Sequence, residues 1–374
     1  MLIIADDKIP FLKGALEPFA DVVYIPGASI GPEDLNNADG LIVRTRTKVN
    51  EELLKHSKVK AVVSATIGTD HLDIPWLEAN NIAWTNAPGC NSGSVKQYIA
   101  SVFSALEMNY FPLRGKTLGI VGVGNVGSKV AKAGEAFGMR VLMNDPPRNE
   151  KEPDFENVDL NVLLQMSDVV TFHVPLTREG KYPTWYLLND TTLMMMKRGS
   201  VLINSSRGEV VEERVLMKGL SSELIKHAVL DVWEHEPDIS LELQERLMIG
   251  TPHIAGYSVD GKANGTTAAV RFMSQQFGLG IDDWSASELP VFDDMTLTVK
   301  EVNDRLNLEL AKLVVSTYDV TKDSQRLRES PQHFESLRGN YPVRREFPAW
   351  QVKVTKEHET LKNALQLLGF QISG

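Results

Sequence analysis

Lys116-Thr-Leu-Gly-Ile-Val-Gly122-Val-Gly124-Asn125-Val126-Gly127-Ser-Lys-Val-Ala-Lys132 decides the fold. A short apolar run runs into three glycines and then into a helix-compatible segment. The first two glycines permit a tight turn and let the backbone approach a pyrophosphate. Gly127 allows close packing of helix on strand, and the helix N-terminus offers free amide hydrogens to an anion. The next strand-like run, Arg140-Val-Leu-Met-Asn, ends at Asp145. That is the spacing at which a carboxylate hydrogen-bonds the adenosine ribose diol and repels a 2'-phosphate. The segment is therefore read as a dinucleotide site for NAD, with Gly122, Gly124, Asn125, Val126, Gly127 and Asp145 against the cofactor. Arg148 nearby keeps a 2'-phosphate open as the alternative.

Outward from this unit, short apolar runs alternate with helical patterns, which specifies an α/β fold with parallel sheets. Leu2–Ala5, Val22–Ile25, Gly40–Val43, Ala61–Ser64 and Ile82–Thr85 read as strands of a first domain. A helical segment, Ser94 to Glu107, leads into the nucleotide-binding region. A second helical run, Ser258 to Leu279, is long enough to return to the first domain and make it discontinuous. After Pro290 the texture changes to a strand-like Thr296–Val299, a helical Val302 to Tyr318, a polar, charged Thr321 to Arg345 and a strand-like Trp350 to Val354.

The 374 residues exceed one hydrophobic core and imply two or three domains. At 43% hydrophobic and 24% charged residues the composition is globular, and no apolar stretch reaches membrane-spanning length. A net charge of -10 repels nucleic acid and anionic membranes, so an anionic ligand needs a local basic cluster. The acidic start Met1 to Asp7 and the single Cys90 point to the cytoplasm. His173, His227, His235 and His253 lack metal-ligand spacing, and no metal is expected.

Oxidation of an alcohol requires a base for the hydroxyl proton while hydride leaves, and three segments supply the parts. Gly199-Ser-Val-Leu-Ile-Asn-Ser205-Ser206-Arg207 delivers Arg207 at a strand's carboxyl end, where open α/β sheets bind ligands. His227-Ala-Val-Leu-Asp231 leads into an acidic loop carrying Glu236, and Thr251-Pro-His253 follows shortly after. A neighbouring carboxylate raises a histidine's pKa and fixes its ring. His235, between two acids in a Pro-terminated loop, is the rival imidazole and reads as exposed. In the first domain, Arg44-Thr45-Arg46 places two basic side chains at a strand end, suited to a phosphate or to structural ion pairs.

Together, Gly122 to Gly127, Ser205 to Gly208, Asp231 to Pro237 and Thr251 to Gly256 resemble the D-isomer-specific 2-hydroxy acid dehydrogenases over roughly residues 1 to 285. The resemblance implies a Rossmann-type NAD domain (94–257) inserted in a flavodoxin-like substrate domain (1–93 and 258–285), followed by a small α+β C-terminal dimerisation domain (286–374). It further implies that Arg207 binds the substrate's carboxylate and oxygen, that Glu236 pairs with the acid/base His253, and that Val174, Ser205, Ser206, Asp231 and Gly256 line the NAD site. Thr66, Ile67 and Gly68 in Ser64 to Asp73 are similar to the family's carboxylate-binding loop, and Tyr257 joins the substrate site. Trp84 to Ser92, Pro175 to Trp185, His253 to Ala263 and Tyr341 to Glu346 resemble a dimeric branch of that family acting on a phosphorylated four-carbon acid. A three-carbon phospho-acid and a non-catalytic NAD-sensing scaffold remain as alternatives.

Overall fold

In the first sheet, apolar runs bounded by turns produce β1 (Leu2–Asp6), β2 (Asp21–Ile25), β3 (Gly40–Val43), β4 (Ala61–Ser64) and β5 (Ala83–Thr85). They pair in parallel in the order β2-β1-β3-β4-β5, the flavodoxin-like winding. β3 and β4 are buried at every residue, as expected of central strands covered on both faces. Helix Val259–Phe277 belongs to this unit and packs Ala269, Val270 and Met273 with Ile3, Ile42 and Val63. The computed structural model describes residues 1–299, 305–354 and 358–373, and the expected helix start at Val302 lies outside them.

The second sheet consists of β6 (Thr117–Val121), β7 (Arg140–Asn144), β8 (Val169–Phe172), β9 (Ser200–Asn204), β10 (Ile225–Leu230) and β11 (Ile249–Gly250). All six are parallel, in the order β11-β10-β9-β8-β6-β7. Winding reverses between β6 and β8, which opens a ligand crevice beyond their carboxyl ends. Helix Gly127–Ala136 leaves β6 there. A Cβ on its Gly134 would lie 2.6 Å from Leu118 Cδ2, so a larger residue there would displace that leucine.

The C-terminal strands β12 (Thr296–Val299), β13 (Gln351–Val354) and β14 (Gln371–Ser373) form a three-stranded parallel sheet in chain order. Helix Glu359–Leu368 makes the crossover that parallel pairing of β13 and β14 requires. The stretch read only as polar and charged contains helices Val320–Glu329 and Phe334–Gly339.

The chain divides into two compact units, Met1–Asn91 with Ser258–Val291, and Ser92–Tyr257 with Phe292–Gly374. The C-terminal module, expected as a third domain, is thus built into the nucleotide-binding unit. The reason is a shared core: Val95, Tyr98, Ile99 and Val102 of helix Ser92–Asn109 cluster with Leu310, Ala311 and Val314 of helix Leu306–Thr317. Polar ties reinforce it, with Ser101 Oγ donating to Tyr318 O at 2.9 Å and Asn307 Nδ2 to Phe137 O at 2.8 Å. Leu310→Ala, at a fully buried position of this seam, is expected to destabilise the chain by about 2–5 kcal/mol in urea denaturation. Leu241→Ala, at an exposed position, should change stability by less than about 0.5 kcal/mol. Equal effects at the two positions would contradict the shared core.

Candidate active site

Backbone geometry shapes a dinucleotide cradle at the β6 carboxyl end. Gly122 has φ +86°, and a Cβ there would lie 2.5 Å from the carbonyl oxygen of His173. Only glycine lets the β6 turn pass this close to the end of β8 and Val174. A Cβ on Gly127 would meet Gly122 O at 2.1 Å, which presses the helix N-terminus onto the turn, whereas Gly124 faces open space. Gly124 and Asn125 are exposed, so the amides at the helix start are accessible to an anion. Asp145 caps the following helix through the Arg148 amide at 2.9 Å and accepts from the Val123 amide at 2.8 Å. Arg148, the candidate for a 2'-phosphate, is engaged with Val123 O, Ser128 Oγ and Glu152, and its guanidinium lies over the Phe155 ring. Ser205 Oγ is buried without a hydrogen-bond partner, and Ser206 Oγ donates to Asn204 Oδ1. This glycine cradle with its acid at the β7 end fits NAD.

Arg207, Glu236 and His253 leave the carboxyl ends of β9, β10 and β11, three neighbouring strands of one parallel sheet. Arg207 is extended, at φ -142° and ψ 146°, and donates from Nη1 to Ser206 O at 2.8 Å. A Cβ on Gly208 would fall 1.9 Å from Trp233 O, so the Arg207 turn runs tightly against the loop that carries Glu236. Glu236 accepts from the Trp233 amide with Oε1 at 2.9 Å and meets His253 Nδ1 with Oε2 at 2.8 Å. A carboxylate on Nδ1 selects the tautomer with the proton there and leaves Nε2 as the base. Burial works against the charge on Glu236, yet His253, the Trp233 amide and Arg338 hold its carboxyl below the ordinary carboxylate value. His253 has φ +55°, a conformation that a side-chain-bearing residue adopts only when its surroundings impose it.

Asp231 imposes it. Asp231, expected at the cofactor, has its side chain 1% exposed. It accepts from Thr251 Oγ1 at 2.7 Å, Ile254 N at 2.8 Å and Ala255 N at 2.8 Å. Its own carbonyl accepts the His253 amide at 2.7 Å. Burial raises the Asp231 pKa while His253 and these donors oppose the rise. The rival His235 is exposed, as its sequence setting predicts. His173 is pushed down to about 3 by burial and stays neutral beside Thr171.

In the first unit, Arg44-Thr45-Arg46 follows β3, and Thr66-Ile67-Gly68 follows the adjacent β4. Asn86 Nδ2 donates to Ile67 O at 2.7 Å and Ser64 Oγ pairs with Thr66 Oγ1 at 2.8 Å, which fixes that loop. Thr45 and Arg46 are exposed. Arg44, expected with Arg46 at a phosphate, grips the fully buried Asp6 with its Nε and Nη2 at 3.0 Å each. β1 and β3 are paired, which brings Asp6 beside Arg44 from 38 residues away.

A Gly-cradled parallel sheet that presents an arginine and a carboxylate-held histidine at its carboxyl edge defines an NAD-dependent D-2-hydroxy acid dehydrogenase. Residues 94–255 match the family of the D-isomer specific 2-hydroxyacid dehydrogenase NAD binding domain, and 289–369 match a domain of unknown function, DUF3410. The chain is 46% identical to an erythronate-4-phosphate dehydrogenase of Bacteroides thetaiotaomicron, over 94% of this chain and 99% of the relative. It is 40% identical to the Proteus mirabilis protein of the same name, over 99% of each. Among solved structures it is similar to a D-lactate dehydrogenase from Aquifex aeolicus complexed with NAD and lactic acid, at TM-score 0.62 and 26% identity, over 75% of this chain and 96% of that one. It is also similar to an NAD-bound 3-phosphoglycerate dehydrogenase of Entamoeba histolytica, at TM-score 0.63 and 25% identity, over 78% and 99%. The chain belongs to the erythronate-4-phosphate dehydrogenase family of D-isomer-specific 2-hydroxyacid dehydrogenases.

The site carries its own pH signature. The folded-state pKa of Glu236 lies below the ordinary 4.5. Its ionised form therefore contributes stability that is present above that value and lost as pH falls through the lowered folded value. Thermal denaturation of wild type and Glu236→Gln between about pH 3 and 8 should show a difference that is steady near neutrality and closes in acid. A gap that widens in acid would contradict this assignment.

Proposed function

We propose that the protein oxidises 4-phospho-D-erythronate with NAD to (R)-3-hydroxy-2-oxo-4-phosphobutanoate and NADH, a step of pyridoxal phosphate biosynthesis. The observation that carries the reading is near full-length similarity, at 40–46% identity, to proteins of that name. The Glu236–His253 pair agrees with it. On this reading Arg207 forks the substrate carboxylate and C2 oxygen, while Thr66, Ile67, Gly68, Thr45, Arg46 and Tyr257 complete the substrate site. Arg44, held by Asp6, belongs to the same substrate site. Gly122, Gly124, Asn125, Val126, Gly127, Asp145, Val174, Ser205, Ser206, Asp231 and Gly256 hold NAD. When bound, NAD supplies the acceptor for the hydride that leaves C2.

His253 Nε2 takes the C2 hydroxyl proton as the carbonyl forms. The positive charge then on the ring faces Glu236, already ionised and fixed by the Trp233 amide. Asp231 keeps the histidine's backbone in place and stays out of proton transfer, because its oxygens are engaged by buried donors. The C-terminal module serves in a cytoplasmic homodimer. Among the described residues no helix is long and apolar enough to cross a membrane.

NADH absorbance with 4-phospho-D-erythronate and 3-phospho-D-glycerate at equal concentration, with the oxo product trapped, tests the substrate. A preference for the four-carbon acid is expected, and a preference for the three-carbon acid would replace the proposed substrate. His253→Asn should lower kcat by about 10²-fold or more with NAD affinity retained. An unaffected kcat would remove His253 from its role as base.

A further inference from the structure

The segment from Leu247 through β11 to Tyr257 is gripped at several points by the C-terminal module of the same unit. Arg328 Nη2 donates to Leu247 O at 3.1 Å, the Gly250 amide donates to Ser324 Oγ at 3.1 Å, and Arg344 Nη2 donates to Ala255 O at 2.7 Å. Three of these ties involve backbone groups and account for rigidity. Arg338 makes a different contact. Its Nε donates to the Tyr257 hydroxyl at 2.9 Å, and its guanidinium lies 5.6 Å from the centroid of the same ring. Tyr341 meets Tyr257 edge-on at 6.0 Å, so the tyrosine is braced by two side chains of the module.

Arg338 sits on helix Phe334–Gly339, which Phe334 and Leu337 anchor in the cluster containing Trp233, Leu243 and Leu247. The anchor fixes the guanidinium at the catalytic edge of the sheet. Its charge reaches Glu236, where it is one of the groups favouring the ionised carboxylate. Its Nη1 comes only within 4.0 Å of the Glu335 carboxylate, beyond hydrogen-bonding distance, and the side chain retains 21% exposure. The Nη edge of a rigid, permanently charged fork is therefore presented next to a phenol donor, four residues from the proposed base. Such a fork matches a tetrahedral oxyanion.

We propose that Arg338, together with the Tyr257 hydroxyl, is a specificity-determining residue that binds the substrate's terminal phosphate. This rests on the reading of the substrate as a phosphorylated 2-hydroxy acid. Arg44 offers a phosphate less than a full fork, because its Nε and Nη2 are committed to Asp6. The lactate and 3-phosphoglycerate enzymes above are matched almost whole by about three quarters of this chain, so a quarter of it has no counterpart in them.

Arg338→Met keeps the aliphatic stem and removes the charge. NADH formation is measured for wild type, Arg338→Met, Arg338→Lys and Tyr257→Phe with 4-phospho-D-erythronate and with unphosphorylated D-erythronate. NAD affinity and melting temperature are followed as controls for folding. Arg338→Met should raise KM for the phosphorylated acid by about 10²-fold, with kcat changed by only a few fold, and should lower the phosphorylated-to-unphosphorylated ratio of kcat/KM by about 10². Lys should recover part of that ratio, and Tyr257→Phe should lower it by about tenfold. An equal loss on both acids, or no loss, overturns the proposal, the first by reducing Arg338 to a support for the loop. If wild type prefers 3-phospho-D-glycerate, the proposed substrate fails, and the same variants decide the Arg338 assignment with that acid and D-glycerate. Wild-type turnover of neither phosphorylated acid overturns both readings.

Discussion

The buried carboxylate of Asp231 is the constraint on which the catalytic edge depends. An uncompensated carboxylate in a protein interior costs several kcal/mol. Its position becomes tolerable only because Thr251, Ile254 and Ala255 converge on it with one hydroxyl and two amide donors. Three donors from so short a stretch leave the chain little choice of path, and His253 is carried into its positive-φ conformation between them. Its ring then reaches Glu236, which the Trp233 amide fixes from the β10 side. Hydrogen bonds to a charged acceptor are worth about 1.5–3 kcal/mol each, enough to hold a local conformation that the residue would not choose alone.

That turn is also where the C-terminal module is fastened. Arg344, 4% exposed, donates to Ala255 O and to Ser94 Oγ, while its guanidinium packs 4.4 Å from the Tyr318 ring centroid. Tyr318 and Tyr341 both donate to Asp323, itself 5% exposed. A cation, two phenols and a carboxylate thus form one buried cluster whose outer face is the backbone of the catalytic turn. The module completes the structure around the turn, and the unit cannot be divided there without exposing polar groups that have partners only in the assembled fold.

Local features were legible in the sequence because their causes are local. Gly40–Val43 and Ala61–Ser64 fall where continuous apolar runs meet turn residues, Thr296–Val299 shows polar–apolar alternation, and Gly122 and Gly127 each answer a close backbone approach. Arg207, Glu236 and His253 could be nominated from strand ends and spacing, since parallel strands deliver ligand-facing residues at their carboxyl edge. What escaped was set by partners distant in sequence. The fate of Arg44 depends on Asp6 through β1–β3 pairing, and both readings of the arginine were compatible with its own neighbours. The helices Val320–Glu329 and Phe334–Gly339 show little apolar periodicity because each buries only a few apolar side chains, such as Leu327 and Phe334.

Asp231 shows the same limit from the other side. Its place after β10 is legible, but the partners of its carboxylate are not, because spacing alone does not say which donors of the following loop converge on it. They are Thr251, twenty residues on, and the two amides after His253. Tyr98 adds to them through its 2.8 Å hydrogen bond to Thr251, from a helix whose other contacts extend to Thr317 and Tyr318. The acid that fixes the histidine is thus held in a network reaching from the first helix of the unit to the C-terminal module. Side-chain identity selects the chemistry at this edge, while its geometry is a property of the whole unit.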